Sequence, residues 1–205
     1  MNPIIINSSV DLDKARSLLH SCYLEHLEWE ITHGNPSGIK VQKNSNQTII
    51  TDDYDDLSTW FSVLEEQKPI ACGRLCYEDS DGLLEIERYS NARKSLKNLL
   101  IKKTDLNIVE LNREAILPKY INNKKLYFLL LESIFKYCLE KHQAIITTTH
   151  FENWIEIYGD IGFPRLDGLE FKYHDSEPSP VLVYFSDSQH IRVLLKRINI
   201  LLREV

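Results

Sequence analysis

Val109-Glu110-Leu111-Asn112-Arg113 and the segment Lys124–Lys141 that follows it decide the fold. The first stretch ends a short apolar run that begins at Asn107, a pattern that predicts a central strand. Residues 124–141 carry apolar side chains at helical spacing and form the clearest predicted helix of the chain. Ala144–Thr149 is rich in β-branched residues and predicts another strand. The order strand, helix, strand therefore predicts an α/β unit at the centre of the protein.

Outward from this unit, periodicity predicts further elements on both sides. A loop from His33 to Gln47 ends the first helix. No repeat, low-complexity tract or linker interrupts the 205 residues, so we predict one domain, 1–205, with an α/β (α+β) fold and a mixed sheet. The further predicted elements are a helix at Leu12–Glu30, strands at Thr48–Thr51, Thr59–Leu64 and Ile70–Tyr77, a semi-helical segment at Lys94–Lys103, a short helix at Trp154–Tyr158, a strand at Pro180–Phe185 and a helix at Ser188–Arg203.

Composition favours a globular, cytoplasmic protein. Hydrophobic residues make up 43% and charged residues 26%. No apolar run is long enough to span a bilayer, and the N-terminus lacks the basic region of a signal peptide. Of the four cysteines, Cys72 and Cys76 form a CxxxC pair, which is typical of either two ligands of a metal or two buried thiols on one strand face. No second pair completes a ligand set, so no metal is predicted.

The charge of the chain is unevenly distributed. The net charge is -6, yet residues 88–125 contain ten Lys and Arg against three Asp and Glu. This basic belt argues against general nucleic-acid binding and for a localised anionic partner, either a phosphate-bearing cofactor or an acidic carrier protein. The alternative is a solvated helix face.

Lys119, Asn123, Lys124 and Lys125 precede or begin the long predicted helix. A helix N-terminus attracts phosphate through its unpaired N–H groups and dipole, so we expect these residues to bind a cofactor. The segment has no glycine-rich fingerprint, and the lysines also fit a solubilising surface loop.

Six short motifs follow one another along the chain. In this order and spacing they resemble the GNAT-type N-acyltransferases, in particular the acyl-homoserine lactone (autoinducer) synthases and related N-acyl amino acid synthases. The resemblance covers roughly residues 15–185. The motifs are Trp29 at the end of the first helix, the acidic segment Asp52-Asp53-Tyr54-Asp55, Arg74-Leu75, Glu110-Leu111-Asn112-Arg113, Thr147-Thr148-Thr149-His150, and Gly162-Phe163.

The resemblance implies a GNAT-like fold whose mostly antiparallel sheet, flanked by helices, is splayed at its centre and admits a pantetheine arm. It also implies that backbone N–H groups along Glu110–Arg113, including Leu111 and Asn112, polarise a thioester carbonyl. Trp29, Thr148 and Thr149 are expected to bind substrate.

Glu110 is the leading candidate for a general base, because an α-amino group titrates near 7.7–8.0 and needs only a modest base. An ion pair with Arg113 or Arg74 is the alternative role, and the two are compatible. Asp52 and Asp55 are expected to meet these arginines, since two carboxylates three residues apart repel one another. Such a cluster is also typical of turns or of calcium coordination.

Two positions depart from the pattern. An arginine that the related enzymes carry on the first helix falls on Leu19, and their aromatic residue after E-x-x-R is Glu114. We therefore expect the amine acceptor to be a free amino acid or a side-chain amine of a peptide rather than S-adenosylmethionine. A true acyl-homoserine lactone synthase and a catalytically idle binding module are the alternatives.

An acyl chain needs an apolar cleft, to which Trp60 is expected to contribute. The donor is predicted to be a fatty acyl thioester of acyl carrier protein or coenzyme A. Basic residues of the last helix, Arg192, Lys196 and Arg197, extend the belt that favours the carrier protein. A small acetyltransferase using acetyl-CoA is a further alternative.

Overall fold

The computed structural model describes residues 1–31, 34–44 and 47–205. Six strands form the main sheet, in the spatial order β1-β4-β5-β6-β7-β8, and β2 and β3 pair in a separate hairpin. The strands are β1 (Asn2–Ile5), β2 (Lys40–Lys43), β3 (Thr48–Thr51), β4 (Ser58–Glu65), β5 (Lys68–Cys76), β6 (Ile108–Ile116), β7 (Ala144–Thr149) and β8 (Leu182–Ser186).

Helices cover both faces of the main sheet. The helices are α1 (Ser9–His20), which continues into a π-helical segment at Ser21–His26, α2 (Ser90–Leu100), α3 (Lys103–Leu106), α4 (Lys124–Glu140), α5 (Glu152–Ile161) and α6 (Ser188–Glu204). Ile108 and Ile146 pack with α2, whereas Val109 and Ile145 pack with α4 and α6. Because neighbouring residues of a strand point to opposite faces, α2 lies on one side of the sheet and α4 and α6 on the other.

The sheet opens between β6 and β7, its parallel pair. Their pairing ends at Leu111 and Thr147, although β6 continues to Ile116 and β7 to Thr149. Along the other edge of β6, two residues, Arg113 and Glu114, lie opposite one residue of β5. Arg113 has a φ of 54°, so this β-bulge holds a non-glycine residue in the left-handed region. The predicted mixed, mostly antiparallel sheet flanked by helices is confirmed, and its centre is splayed.

Most predicted elements are present, and the differences have local causes. The first helix ends near His26 instead of Glu30, because Glu28 adopts a positive φ of 52°. The predicted loop His33–Gln47 contains β2, whose exposed residues carry no apolar alternation; His33, Ser45 and Asn46 lie outside the described residues. Strand β1 was not predicted. In the described part of the chain, no helix combines the length and the apolar character that a membrane crossing requires.

Candidate active site

Arg74 on β5 is completely buried and organises a charged network. An unpaired charge at such depth would be very costly, so its hydrogen-bonding capacity is extensively used. Its guanidinium donates from Nη1 to Asp52 Oδ1 at 2.7 Å and Asp55 Oδ1 at 2.8 Å, from Nε to Asn112 Oδ1 at 2.7 Å, and from Nη2 to Glu85.

Two further arginines complete this network. Arg113 donates from Nη2 to Asp52 at 2.9 Å and to Glu85 at 2.5 Å. Arg16 on α1 lies 2.9 Å from Asp55. The three arginines thus face three carboxylates, those of Asp52, Asp55 and Glu85, and their formal charges cancel.

The pKa values of the two aspartates separate. Burial alone would raise the pKa of Asp52, but the charges of Arg113 and Arg74 outweigh it and lower this pKa to about 2. Burial, with the neighbouring charge of Asp52, raises the pKa of Asp55. The expected meeting of Asp52 with both arginines is observed, whereas Asp55 contacts Arg74 and Arg16.

Glu110 lies beside this network on β6. Its carboxylate accepts from the backbone N–H of Ile86 at 2.8 Å and from Asn112 Nδ2 at 3.0 Å. The ion pairs of Arg74 and Arg113 go to other carboxylates, so the predicted ion pair with Glu110 does not form between these described side chains. Burial, followed by the charge of Glu85, raises the pKa of Glu110 to about 7. A carboxyl group with this pKa can accept and release a proton near neutral pH.

Glu114 is a second carboxyl group of the same strand with a raised pKa. The hydroxyl of Tyr158 on α5 donates to its carboxylate. Burial raises the pKa of Glu114 to about 8. The hydroxyl of Tyr23 donates to the backbone carbonyl of Glu114 at 3.0 Å and ties the bulge to the end of the first helix.

A cavity of about 170 Å³ lies against Glu110 and is called here the Glu110 cavity. Its floor is the splayed part of β6 and β7, and its rim includes the exposed Trp29 and Glu30. The wall of the cavity combines apolar, acidic and other polar side chains. They include Ile31, Ile39, Glu85, Ile86, Tyr89, Asn112, Arg113, Glu114, Thr148, Thr149, His150, Tyr173, His174, Glu177 and Val181.

A second cavity, of about 260 Å³, lies behind the bulge and is called here the Tyr127 cavity. It is lined by β6 from Glu114 to Ile116, by the start of α5 and by Ile121 and Tyr127 at the N-terminus of α4. The two cavities adjoin at the gap between β6 and β7, since Tyr23, Leu27, Glu114, Phe151 and Trp154 line both.

The structure places many of the predicted site residues along this pair of cavities. Glu110, Asn112, Arg113, Trp29, Thr148 and Thr149 line the Glu110 cavity. Asp52, Asp55 and Arg74 do not line it: Asp52 binds Arg113, Arg74 binds Asn112, and Asp55 binds Arg74. Leu111 belongs to the core. Trp60 was expected in an acyl cleft, but it is 3% exposed. The guanidinium carbon of Arg74 lies over its ring, 5.4 Å from the ring centre, so Trp60 supports the charged network instead.

The predicted phosphate site at the start of α4 is only partly available. Lys124 already pairs with Glu156 at 2.6 Å and Asp160 at 2.8 Å on α5. Lys119 lies over the ring of Tyr120, and Lys125 is exposed. Asn123 occupies the N-cap position, and the first turn of α4 contains no acidic residue. The helix terminus and Lys125 therefore remain to attract an anion.

The basic belt does not form one surface. Four of its members pair with carboxylates of the chain: Arg88 with Asp79 and Asp81, Lys103 with Glu78 and Glu87, Arg113 with Asp52 and Glu85, and Lys124 with Glu156 and Asp160. The basic residues of α2 lie on the opposite sheet face from Arg192, Lys196 and Arg197 of α6. Arg197 donates to the carbonyl of Asp160, beside Lys124, so the side of α6 adjoins the N-terminus of α4.

Sequence reasoning missed Glu85, Arg16 and Glu114–Tyr158. Glu85 is separated from its partners in sequence, and only its position between the apolar Leu84 and Ile86 indicated burial. Leu19 is buried in the core, as an apolar helix residue should be, and Arg16, one turn earlier on α1, supplies an arginine to the network.

No protein-family model and no curated protein sequence matches the chain. Among solved structures, FeeM, an N-acyl amino acid synthase from uncultured soil microbes, matches with a TM-score of 0.61 and 12% identity over 99% of this chain and 97% of its own. BjaI, a CoA-dependent acyl-homoserine lactone synthase, matches with a TM-score of 0.57 and 15% identity over 93% of this chain and 82% of its own. The ribosomal-protein-S18-alanine N-acetyltransferase from Escherichia coli matches with a TM-score of 0.53 and 12% identity over 90% of this chain and 93% of its own.

These neighbours are acyl- and acetyltransferases. At such low identity the likeness establishes the fold, and the chain therefore has the GNAT-like fold that the sequence motifs predicted.

Proposed function

We propose that this protein is an N-acyltransferase that moves a fatty acyl group from a thioester of acyl carrier protein or coenzyme A to an amine. The observation that carries the proposal is the place at the splay of β6 and β7 where two cavities adjoin, both lined by Glu114 and one of them also by Glu110. A reaction between two substrates needs such a meeting point, because each substrate must approach the reacting carbon from its own side.

The pantetheine arm of the thioester is assigned to the Tyr127 cavity, and its acyl chain and the amine are assigned to the Glu110 cavity. The amine nitrogen attacks the thioester carbonyl carbon, the new C–N bond forms, and the C–S bond breaks. Glu110 accepts the proton that the amine loses, the sulfur leaves as a thiolate, and the proton on Glu110 passes to it directly or through water, so the products are an amide and a thiol. Backbone N–H groups at the bulge around Arg113 would stabilise the negative charge that develops on the carbonyl oxygen.

An apolar wall supports a fatty acyl group over an acetyl group. Ile31, Ile39, Ile86 and Val181 line the Glu110 cavity. Each methylene of a chain buried against them would contribute about 0.8 kcal/mol. Eight carbons would contribute on the order of 6 kcal/mol.

The α4 N-terminus supports a donor that carries phosphate. Tyr127 and Ile121 place that terminus beside the Tyr127 cavity, whose lining does not include Glu110. A pantetheine arm lying in this cavity would bring its phosphate to the helix N-terminus and Lys125. The neighbours FeeM, an N-acyl amino acid synthase, and BjaI, a CoA-dependent acyl-homoserine lactone synthase, agree with the assignment.

Incubation of the purified protein with octanoyl-CoA or octanoyl acyl carrier protein and a panel of amines, including S-adenosylmethionine, tests the proposal. Thiol release with a matching N-acyl product by mass spectrometry is expected, and Glu110→Gln should lose it. Glu140→Gln, which removes an exposed carboxylate at the far end of α4, is the matched control. Binding of donor without thiol release in any mixture would favour an idle binding module.

A further inference from the structure

The wall of the Glu110 cavity is unevenly charged. Arg113 is the one lysine or arginine among the described residues that line it. Five glutamates line the same cavity, Glu30, Glu85, Glu110, Glu114 and Glu177, although Glu114, with a pKa raised by burial to about 8, is mostly protonated at neutral pH.

The charge of Arg113 is already compensated by carboxylates of the chain. Its guanidinium is occupied by Asp52 and Glu85, and its side chain is 11% exposed. A substrate carboxylate would therefore meet a guanidinium whose charge Asp52 and Glu85 already balance through Nε and Nη2, so that a hydrogen bond from Nη1 would bring no uncompensated positive charge. The side-chain amide of Asn112 is engaged as well, since it donates to Glu85 and Glu110.

The two histidines of the wall do not replace such a cation. His150 and His174 are both exposed at the rim, where solvent screens an attraction to a carboxylate. A free amino acid therefore finds a site for its amine beside Glu110 and no buried, unpaired cation for its carboxylate among the described lining residues.

We propose that the acceptor is an α-amine whose carboxyl group is blocked as an amide or ester, such as the N-terminal residue of a peptide, rather than a free amino acid. The inference rests on the proposed function and names the acceptor of the same site. The exposed Trp29 and Glu30 mark the rim through which the rest of a peptide would leave. Such an α-amino group titrates near 7.7–8.0, close to the value of Glu110, so proton transfer between them is nearly balanced.

The test compares matched acceptors on the wild-type protein with octanoyl-CoA and octanoyl acyl carrier protein. Leucine, leucinamide and Leu-Gly-Gly form one set, and the tyrosine and serine equivalents form two more. Values of kcat/KM are expressed per unprotonated amine, which removes the difference in amine pKa. We expect the amides and tripeptides to exceed the free amino acids by at least roughly 10-fold. A peptide preference over the amide would identify a peptide source, and the reverse a small molecule.

Free amino acids acylated as fast as their amides would overturn the inference and leave the proposed function intact. No product with any acceptor or donor would overturn both.

A charge-reversal pair tests the electrostatic basis. Glu30→Lys replaces an anion at the rim of the Glu110 cavity with a cation, and because solvent screens the rim it should raise kcat/KM for leucine relative to leucinamide only about 2-fold, at low salt. Glu140→Lys makes the same charge change at the far end of α4 and should leave the ratio as in the wild type. Equal ratios in both variants would contradict the role assigned to the charge of the wall.

Discussion

The Glu110 carboxylate accepts a hydrogen bond from the backbone N–H of Ile86 at 2.8 Å, although 24 residues separate the two in sequence. The bond fixes the carboxylate at the cavity wall, while burial and the charge of Glu85 raise its pKa to about 7. The same group is therefore both held in position and able to exchange a proton near neutral pH.

The rate of acyl transfer should follow the ionisation of Glu110. Only the carboxylate can accept a proton, so kcat/KM is expected to rise with pH through about 7. Glu110→Gln should lower kcat by roughly 10²- to 10⁴-fold and remove this limb of the profile. Measurements of kcat/KM between pH 5 and 9 with two amines of different pKa distinguish the ionisation of the enzyme from that of the acceptor, because only the latter shifts with the amine. An unchanged limb in the Gln variant would show that another group titrates.

Glu114 should make the protein less stable as pH rises. Its pKa is about 8 in the folded state against 4.5 ordinarily, so between these values the folded state holds a proton that the unfolded state has released. The free energy of unfolding should then fall across this window, by roughly 2–4 kcal/mol from this group. Urea unfolding at pH 5 and pH 8 measures the fall, which Glu114→Gln should reduce.

Glu110 contributes to the same fall up to pH 7, so the informative quantity is the difference between wild type and variant. Glu140→Gln, at an exposed carboxylate, should behave as the wild type. A Glu114→Gln variant with the full pH dependence would place the buried titration elsewhere.

The elements that carry the site were predictable because their patterns are local. Strand β3 and strand β7 match their predicted limits, and α4 begins at Lys124 as predicted. Apolar periodicity depends on neighbours in sequence, so the central strand and helix were visible without tertiary information.

The remainder depends on contacts between distant segments. The bulge at Arg113 follows from pairing with β5 and extends β6 four residues past its predicted end at Asn112. Glu85 binds Arg113, 28 residues away in sequence, and Tyr158 binds Glu114, 44 residues away, so neither contact follows from a local pattern. Trp60 was predicted to line a cleft because an aromatic residue on a strand has the same sequence pattern whether it lines a cleft or supports a buried cation.

Removal of the Arg74 charge should strongly destabilise the protein. Arg74→Met leaves Asp52, Asp55 and Glu85 buried with less positive charge, and the loss of one partner of a buried ion pair costs about 3–5 kcal/mol. Arg88→Met removes an arginine that also pairs with two aspartates, but its side chain is 31% exposed, so stability should change far less. Chemical denaturation of both variants compares them, and equal losses would mean that burial does not set the strength of the network.

The exposed Lys125 should act on the donor and not on the chemical step. It lies in the first turn of α4, where the helix dipole and a lysine together favour a phosphate, while Lys124 is held by Glu156 and Asp160. Lys125→Ala is therefore expected to raise KM for octanoyl-CoA roughly 3- to 10-fold with little change in kcat. Octanoyl-pantetheine lacks the phosphates, so its KM should be the same in variant and wild type. Lys94→Ala on α2, across the sheet, removes a lysine of the same belt and should alter neither donor. If Lys125→Ala raised KM for both donors alike, the lysine would act on the shape of the Tyr127 cavity, and the phosphate would bind elsewhere.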